Sequence, residues 1–357
     1  MSADFGDHPV GRFLLPLLER HDHRQFEVFW YSNTARPDAM TARFRSCADQ
    51  WRDIANLRDQ QAVEQVRADR IDILVDLSGH TAGNRLLVFA AKPAPVQVSY
   101  LGYPGTTGLT MIDSRLTDPF ADPADLTDDF HTETLFRLPS TNWCFAEIGD
   151  LPPVAPPPAV KRHQITFGSF NNLAKVTEPM LQTWATILQQ VADSCLLLKA
   201  DAFGSASVRE RIASYFAAQG IDANRLNLSG RVPEHSTHLA LYGQMDIALD
   251  AFPYHGTTTT CDALWMGVPT ITLAGQAHVS RVGVSLLSNI GLTELIADSP
   301  KTYVRIATGL AHDLARLSDL RSTLRNRMRN SPLMDAPTFA ANMEAAYRQM
   351  WRKYAGV

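Results

Sequence analysis

Four threonines follow one another in "AFPYHGTTTTCDALWMGVP", Ala251 to Pro269, between a His-Gly turn and an aspartate. Asp246 to Asp250 reads as a buried strand, "PYHG" turns the chain, and "CDALWM" continues as a helix that Gly267 and Pro269 stop. The hydroxyls therefore fall at a helix N-terminus. A capping box, with Thr259 as N-cap and Asp262 three residues on, would use one or two of them. The full run, Thr257 to Thr260, with free backbone amides and the positive end of a helix dipole at the carboxyl end of a parallel strand, suits a phosphate or diphosphate. Asp262, one turn into the helix, can accept from a ribose or serve the cap.

A second stretch, "FGSFNNLAKVTEP" from Phe167 to Pro179, runs from a strand through a loop to a helix start at Thr177 and Pro179. Lys175 sits there at the positive end of the helix dipole. That placement is unfavourable for a cation unless an anion is near, so either a phosphate or open solvent must relieve it. A third, "LGYPGTTG" from Leu101 to Gly108, contains Gly102 and Pro104 in a turn whose glycines permit close approach to a ligand or simply a tight bend. Upstream, "DLSGHTAGN" repeats the strand, glycine and hydroxyl arrangement, with His80 read as structural.

Some sites are missing. Neither a Walker A sequence nor G-x-G-x-x-G occurs, which removes the main support for ATPase or nicotinamide-dehydrogenase chemistry. No Asp-x-Asp is present to hold a divalent metal on a diphosphate, so lysine, amides and hydroxyls are expected to neutralise it without metal or cofactor. His21 and His23 read as part of a polar loop. The four cysteines are scattered without a Cys-x-x-Cys pair, against both a disulfide framework and a zinc site.

The elements that must carry these residues are those of an α/β protein. Runs at 165–170, 195–199, 226–228, 246–250 and 270–273, and before them 26–31, 72–77 and 96–100, are largely continuous and apolar, as strands buried on both faces are. They predict two Rossmann-like domains. Proline in "GDLPPVAPPPAVKRHQ" divides them, giving an N-terminal domain over 1–150, a linker over 151–163 and a C-terminal domain over 164–333. Residues 334–357 form an amphipathic helix with Phe339, Met343, Ala346, Met350 and Tyr354 on its apolar side. The arginine-rich stretch Arg316 to Asn330 reads as a solvated helix face. A Rossmann-like half normally opens with a strand, yet this one starts almost at once with "DFGDHP". A missing first strand would leave a gap or an unpaired edge in the sheet.

At 357 residues, 45% hydrophobic and 20% charged, the chain has the composition of a soluble globular protein of two domains. No signal sequence or membrane-spanning run is visible, so the cytoplasm is the expected location. A net charge of -4 gives no reason to expect a nucleic-acid partner.

Taken together, "SADFGDHPVG", "ILVDLSGHTAGNRLLVFAAKPAPVQVSYLGYPGTTG", "FGSFNNLAKVTEPMLQTWATIL", "DIALDAFPYHGTTTTCDALWMGVPTITLAG" and "SRVGVSLLSNIGLTELIA" resemble the catalytic region of the O-linked N-acetylglucosamine transferases and their bacterial and SPINDLY-like relatives. The resemblance implies a GT-B fold, two Rossmann-like domains facing a cleft, and inverting, metal-independent transfer of N-acetylglucosamine from UDP-GlcNAc to serine or threonine hydroxyls of an acceptor protein or peptide. It implies Lys175 on the diphosphate, Thr258 and Thr259 at the helix start, Asp262 on the ribose, His238 near the uracil and Asn172 reaching the nucleotide. Gly102 and Pro104 are placed with the nucleotide sugar, and His8 is a base at the acceptor end. Thr257 replaces a histidine of the animal enzymes, and His255 an asparagine. The tetratricopeptide repeats usual in the family do not occur in this sequence. Some SPINDLY-like relatives use GDP-fucose, and a nucleotide-sugar epimerase or a non-catalytic nucleotide-binding protein would share the site.

Overall fold

Short apolar strands separated by helices can pair only in parallel, because each crossover returns the chain to the same edge of the sheet. The computed structural model, which describes all residues except 148–150, shows two such α/β units, one over Met1–Ala146 with Pro332–Val357 and one over Glu147–Ser331. The boundary expected at residue 150 lies outside the described residues.

In the first unit, β1 (Phe29–Ser32) pairs with β2 (Gln50–Asp53), while β3 (Ile73–Asp76), β4 (Val96–Ser99), β5 (Ser114–Thr117) and β6 (Thr134–Arg137) form a four-stranded parallel sheet in that order. Helix α1 (Pro9–Leu18) precedes β1, and α2 (Ala39–Ser46), α3 (Asp59–Ala68) and α4 (Leu86–Ala90) lie between the strands in sequence. The sheet is in two pieces: Ser2 bridges to Ser32 on the β1 side, and Met1 bonds to the Val75 carbonyl and the Leu77 amide on the β3 side. Strand β5 escapes hydrophobic periodicity because it carries polar residues inward, whereas β2 and β6 are mostly half-buried or exposed. Ser114, Arg115 and Thr117 of β5 are all buried, with Arg115 donating to Ser99 Oγ at 3.3 Å and to the Tyr103 carbonyl at 2.9 Å.

The second unit contains β7 (Thr166–Ser169), β8 (Cys195–Lys199), β9 (Leu226–Ser229), β10 (Ile247–Leu249), β11 (Thr270–Leu273) and β12 (Ile296–Ala297), all parallel, in the spatial order β12-β11-β10-β7-β8-β9. Its helices are α5 (Ala159–Arg162), α6 (Glu178–Gln190), α7 (Ala206–Ala218), α8 (His235–Ala240), α9 (Thr258–Trp265), α10 (Val282–Asn289), α11 (Pro300–Ala311) and α12 (Leu314–Arg329). The proline-rich segment is held against this unit: the Ala159 amide donates to Asp246 Oδ1 at 3.0 Å. Helix α12 is not a wholly solvated face. Arg321 is buried and donates to the carbonyls of Met266 and Met245, and burial lowers its pKa to about 10.

The last helix, α13 (Ala336–Ala355), belongs to the first unit. Phe339, Met343, Ala346 and Met350 join a core with Leu14, Leu18 and Val98, whereas Tyr354 at 60% exposure lies off that face.

Candidate active site

The second unit changes winding direction between β7 and β10: the chain steps from β7 outward through β8 and β9, then crosses back to β10 and outward through β11 and β12. In open parallel sheets such a switch point leaves a crevice at the carboxyl ends of the two central strands, because the connections that follow them run to opposite sides. Lys175 follows β7, and the threonines follow β10.

Helix α9 begins two residues earlier than a Thr259 cap would require. Thr257 is its N-cap, without a side-chain capping bond. Each following hydroxyl has its own task. Thr259 Oγ1 donates to Asn171 Oδ1 at 2.9 Å, and Thr260 Oγ1 donates back to the Gly256 carbonyl at 3.1 Å, so neither caps an amide. The first-turn amides of Thr258, Thr259 and Thr260 have no place in the intrahelical ladder.

The loop before this helix is held by Asp250, a buried carboxylate. Its Oδ1 accepts from the Ala251 amide at 2.9 Å, the Gly256 amide at 2.8 Å and Asn171 Nδ2 at 3.2 Å. Its Oδ2 accepts from Thr272 Oγ1 at 2.9 Å. His255, fully buried, accepts the Gly283 amide at Nδ1 (3.0 Å) and lies 2.9 Å from the Leu273 carbonyl through Nε2, so Nε2 carries the proton. Burial lowers its pKa, and the ring is neutral. A Cβ at Gly256 would meet the Thr259 hydroxyl and Asn171 Oδ1, so those buried side chains would have to move.

Lys175 Nζ donates to the His255 carbonyl at 3.0 Å and stands 3.9 Å from the centre of the Tyr254 ring. Burial lowers its pKa to about 8, with Asp250 acting in the opposite direction. A partly desolvated ammonium is thus fixed on the loop that leads into α9.

On the other side of the switch point, Phe170, His238 and Tyr242 cluster with ring centroids 4.6 to 5.7 Å apart. His238 Nε2 lies 3.9 Å from Asp262 Oδ2, and Asp262 is buried. Lys199, at the end of β8, stands over Phe170 at 5.7 Å; burial lowers its pKa, opposed by Asp201 and Asp262. Sequence reasoning missed Asn171, Asp250, Phe170 and Lys199. The strand-end positions of Asp250 and Lys199 were the available signal.

Asn172, Lys175, His238, Thr257, Thr258, Thr259 and Asp262 all belong to this unit and follow its strand ends. Asn172 is exposed and its Oδ1 accepts from the Ala174 amide at 3.0 Å, a local cap. Gly102, Pro104 and His8 belong to the first unit. Gly102 owes its identity to packing, since a Cβ would collide with the Leu77 carbonyl; Pro104 lies half-buried in the same turn. His80 is exposed and edge-on to Tyr103 at 5.2 Å. His8 is the N-cap of α1: Nδ1 accepts from the Val10 amide at 3.3 Å and lies 3.7 Å from Asp4 Oδ1. Among the described residues no three His, Cys, Asp or Glu side chains converge to hold a metal.

Two parallel α/β units, the second with its switch-point crevice and the C-terminal helix returned to the first, are the units of a GT-B fold. Its family follows from sequence. The chain belongs to glycosyl transferase family 41, whose pattern matches residues 1–151 and 159–343. It is 44% identical over 358 aligned residues to the probable UDP-N-acetylglucosamine–peptide N-acetylglucosaminyltransferase SPINDLY of Oryza sativa subsp. japonica and likewise to that of Arabidopsis thaliana, covering 99% of this chain and 38% and 39% of those proteins. The chain therefore spans well under half the length of these curated relatives. The solved O-GlcNAc transferase of Thermobaculum terrenum superposes with a TM-score of 0.94 at 40% identity, over 99% of this chain and 67% of that one. Anabaena HepE, solved with UDP and glucose, shares the fold at a TM-score of 0.61 and 11% identity, over 97% of each chain.

Proposed function

We propose that the chain is an inverting, metal-independent glycosyltransferase that moves N-acetylglucosamine from UDP-GlcNAc to a serine or threonine hydroxyl of a protein. The observation that carries this reading is the Lys175 ammonium, fixed 3.0 Å from the His255 carbonyl on the loop that leads into the open amide turn of α9 at the switch point. Those groups suit a diphosphate, and the printed names of the relatives supply the donor and the acceptor class. The acceptor oxygen bonds to the anomeric carbon as the bond from that carbon to the β-phosphate oxygen breaks, and UDP departs with the electron pair. Lys175 and the amides of Thr258 and Thr259 receive the charge that develops on it. Thr257 lines the same turn, Asn172 stands at its approach, Asp262 takes the ribose hydroxyls, and His238 with Phe170 and Lys199 faces the base. The acceptor's proton is released to solvent rather than to His8, whose Nδ1 is taken by the Val10 amide at 3.3 Å. Gly102 and Pro104 shape a turn of the first unit.

The described residues contain no helix long and apolar enough to cross a membrane. All four cysteines are unpaired, which fits a reducing compartment such as the cytoplasm. Calorimetric titration with UDP, then transfer from UDP-GlcNAc to an acceptor peptide in the presence of EDTA, tests the reading. Lys175→Ala should lower turnover by about 10²- to 10³-fold. Undiminished transfer by that variant would refute the assignment, and preference for GDP-fucose would replace the donor.

A further inference from the structure

Lys175 leans on a single peptide unit, the one that joins His255 to Gly256. Its Nζ donates to the carbonyl of that unit at 3.0 Å, while the amide of the same unit donates to Asp250 Oδ1 at 2.8 Å. A trans peptide carries these two groups on opposite edges of one plane, so whatever turns the plane moves the acceptor of the ammonium. Asp250 holds the amide edge. The carbonyl edge leaves the Cα of His255, and its direction depends on how that residue is held.

Every polar group of His255 is engaged. Its amide donates to the Val279 carbonyl at 3.1 Å and its Nε2 to the Leu273 carbonyl at 2.9 Å, while its Nδ1 accepts from the Gly283 amide at 3.0 Å. No part of the side chain reaches solvent. Leu273 ends β11, and Gly283 lies in the first turn of α10. A first-turn amide is ordinarily satisfied by the helix's own N-cap, yet Arg281 in that position makes no side-chain capping bond. The His255 imidazole, from a different loop, does so instead. Gly283 permits the approach, since a Cβ there would meet the Thr272 hydroxyl and Asp250 Oδ2. A ring that accepts on one edge and donates on the other cannot turn without leaving a buried polar group unpaired, which is costly.

We propose that His255 is a positioning residue for Lys175: its side chain, clamped between the end of β11 and the start of α10, sets the peptide whose carbonyl fixes the ammonium for a diphosphate. The ring is sealed from solvent and acts only through that peptide. The inference rests on the reading of Lys175 as the diphosphate contact, and it extends the anion site to α10, which supplies the Gly283 amide that orients the ring. Residues that act through one another do not contribute additively, and a double-mutant cycle measures the coupling.

The experiment titrates UDP calorimetrically into the full chain and into Lys175→Ala, each with and without a substitution at His255, below the unfolding temperature of every variant by circular dichroism. His255→Leu removes both ring bonds, His255→Asn keeps an acceptor near the Nδ1 place, and His255→Gln keeps a donor near the Nε2 place. In the parent, His255→Leu should weaken UDP binding about tenfold, with the other two variants between it and the parent. Those two also carry the cycle if the leucine variant does not fold. With Lys175 already replaced, the same changes should matter by less than about twofold. A side chain that only stabilises the fold would instead shift affinity by the same factor in both backgrounds, and that result overturns the proposal. Equal affinity of the three His255 variants overturns it too. Equal UDP binding by the parent and Lys175→Ala overturns the Lys175 assignment itself, whereas a normal effect of Lys175→Ala beside additive His255 effects overturns this inference alone.

Discussion

Replacing Asp250 with asparagine tests how the anion site is held together. In the native chain one carboxylate oxygen receives three N–H donors, from Ala251, Gly256 and Asn171, while the other receives the Thr272 hydroxyl. Asparagine keeps one acceptor oxygen and the side-chain shape, and the Thr272 hydroxyl can rotate to accept from the new amide. What is lost is charge. Bonds to a charged acceptor contribute about 1.5–3 kcal/mol and neutral ones about 0.5–1.5, so three weakened bonds sum to about 3 kcal/mol. Lower desolvation cost for a buried amide than for a carboxylate returns about 1 kcal/mol of that. A net loss of about 2 kcal/mol corresponds to a fall of roughly 4–8 °C in the melting temperature of a unit this size. The second consequence concerns Lys175, whose protonation Asp250 favours and burial opposes. Without the carboxylate its folded pKa drops further, and the midpoint of the pH dependence of UDP binding moves to lower pH. Thermal unfolding and calorimetric titration with UDP across pH 6–9.5 measure both. An unchanged melting temperature together with an unmoved binding midpoint would refute the role given to Asp250.

The unmodified chain should itself show that pH dependence. Lys175 has a folded pKa of about 8, and the diphosphate favours its protonated form, so affinity is full below that value and falls above it by up to about tenfold per pH unit; a flat profile to pH 9.5 contradicts the contact. His8→Asn keeps a strong N-cap but removes the imidazole, so transfer should stay within about threefold of the parent. A loss of about 10²-fold or more with folding intact would restore His8 as the base. Gly102→Ala should destabilise the first unit by about 1–3 kcal/mol, because its Cβ meets the Leu77 carbonyl, yet leave UDP affinity unchanged. Denaturant unfolding beside UDP titration separates the two effects.

Much of the second unit is legible in its sequence because its strands are apolar throughout. Phe167, Leu196 to Leu198, Ile247 and Ile271 need no partner to be recognised as buried, and each strand ends in a loop whose polar residues stand out against it. The helix start at the threonines, the lysine ahead of α6 and the phosphate chemistry proposed for them all follow from local rules. Strand β5 was hidden for the opposite reason: Arg115 and its polar neighbours are buried only because distant carbonyls and hydroxyls receive them.

The sequence by itself determined that this chain is a parallel α/β protein of two units, and that a run of hydroxyls opens a helix at the carboxyl end of a buried strand. Tertiary structure alone decided which hydroxyl does what. Thr259 is engaged by Asn171, 88 positions away in the chain. Thr260 turns back on its own loop, and His8 and Gly102 serve the backbone around them. The reason is physical. Periodicity and capping report the backbone state of a residue from its neighbours in sequence, whereas a side chain's partner is set by which strand ends the sheet order brings together.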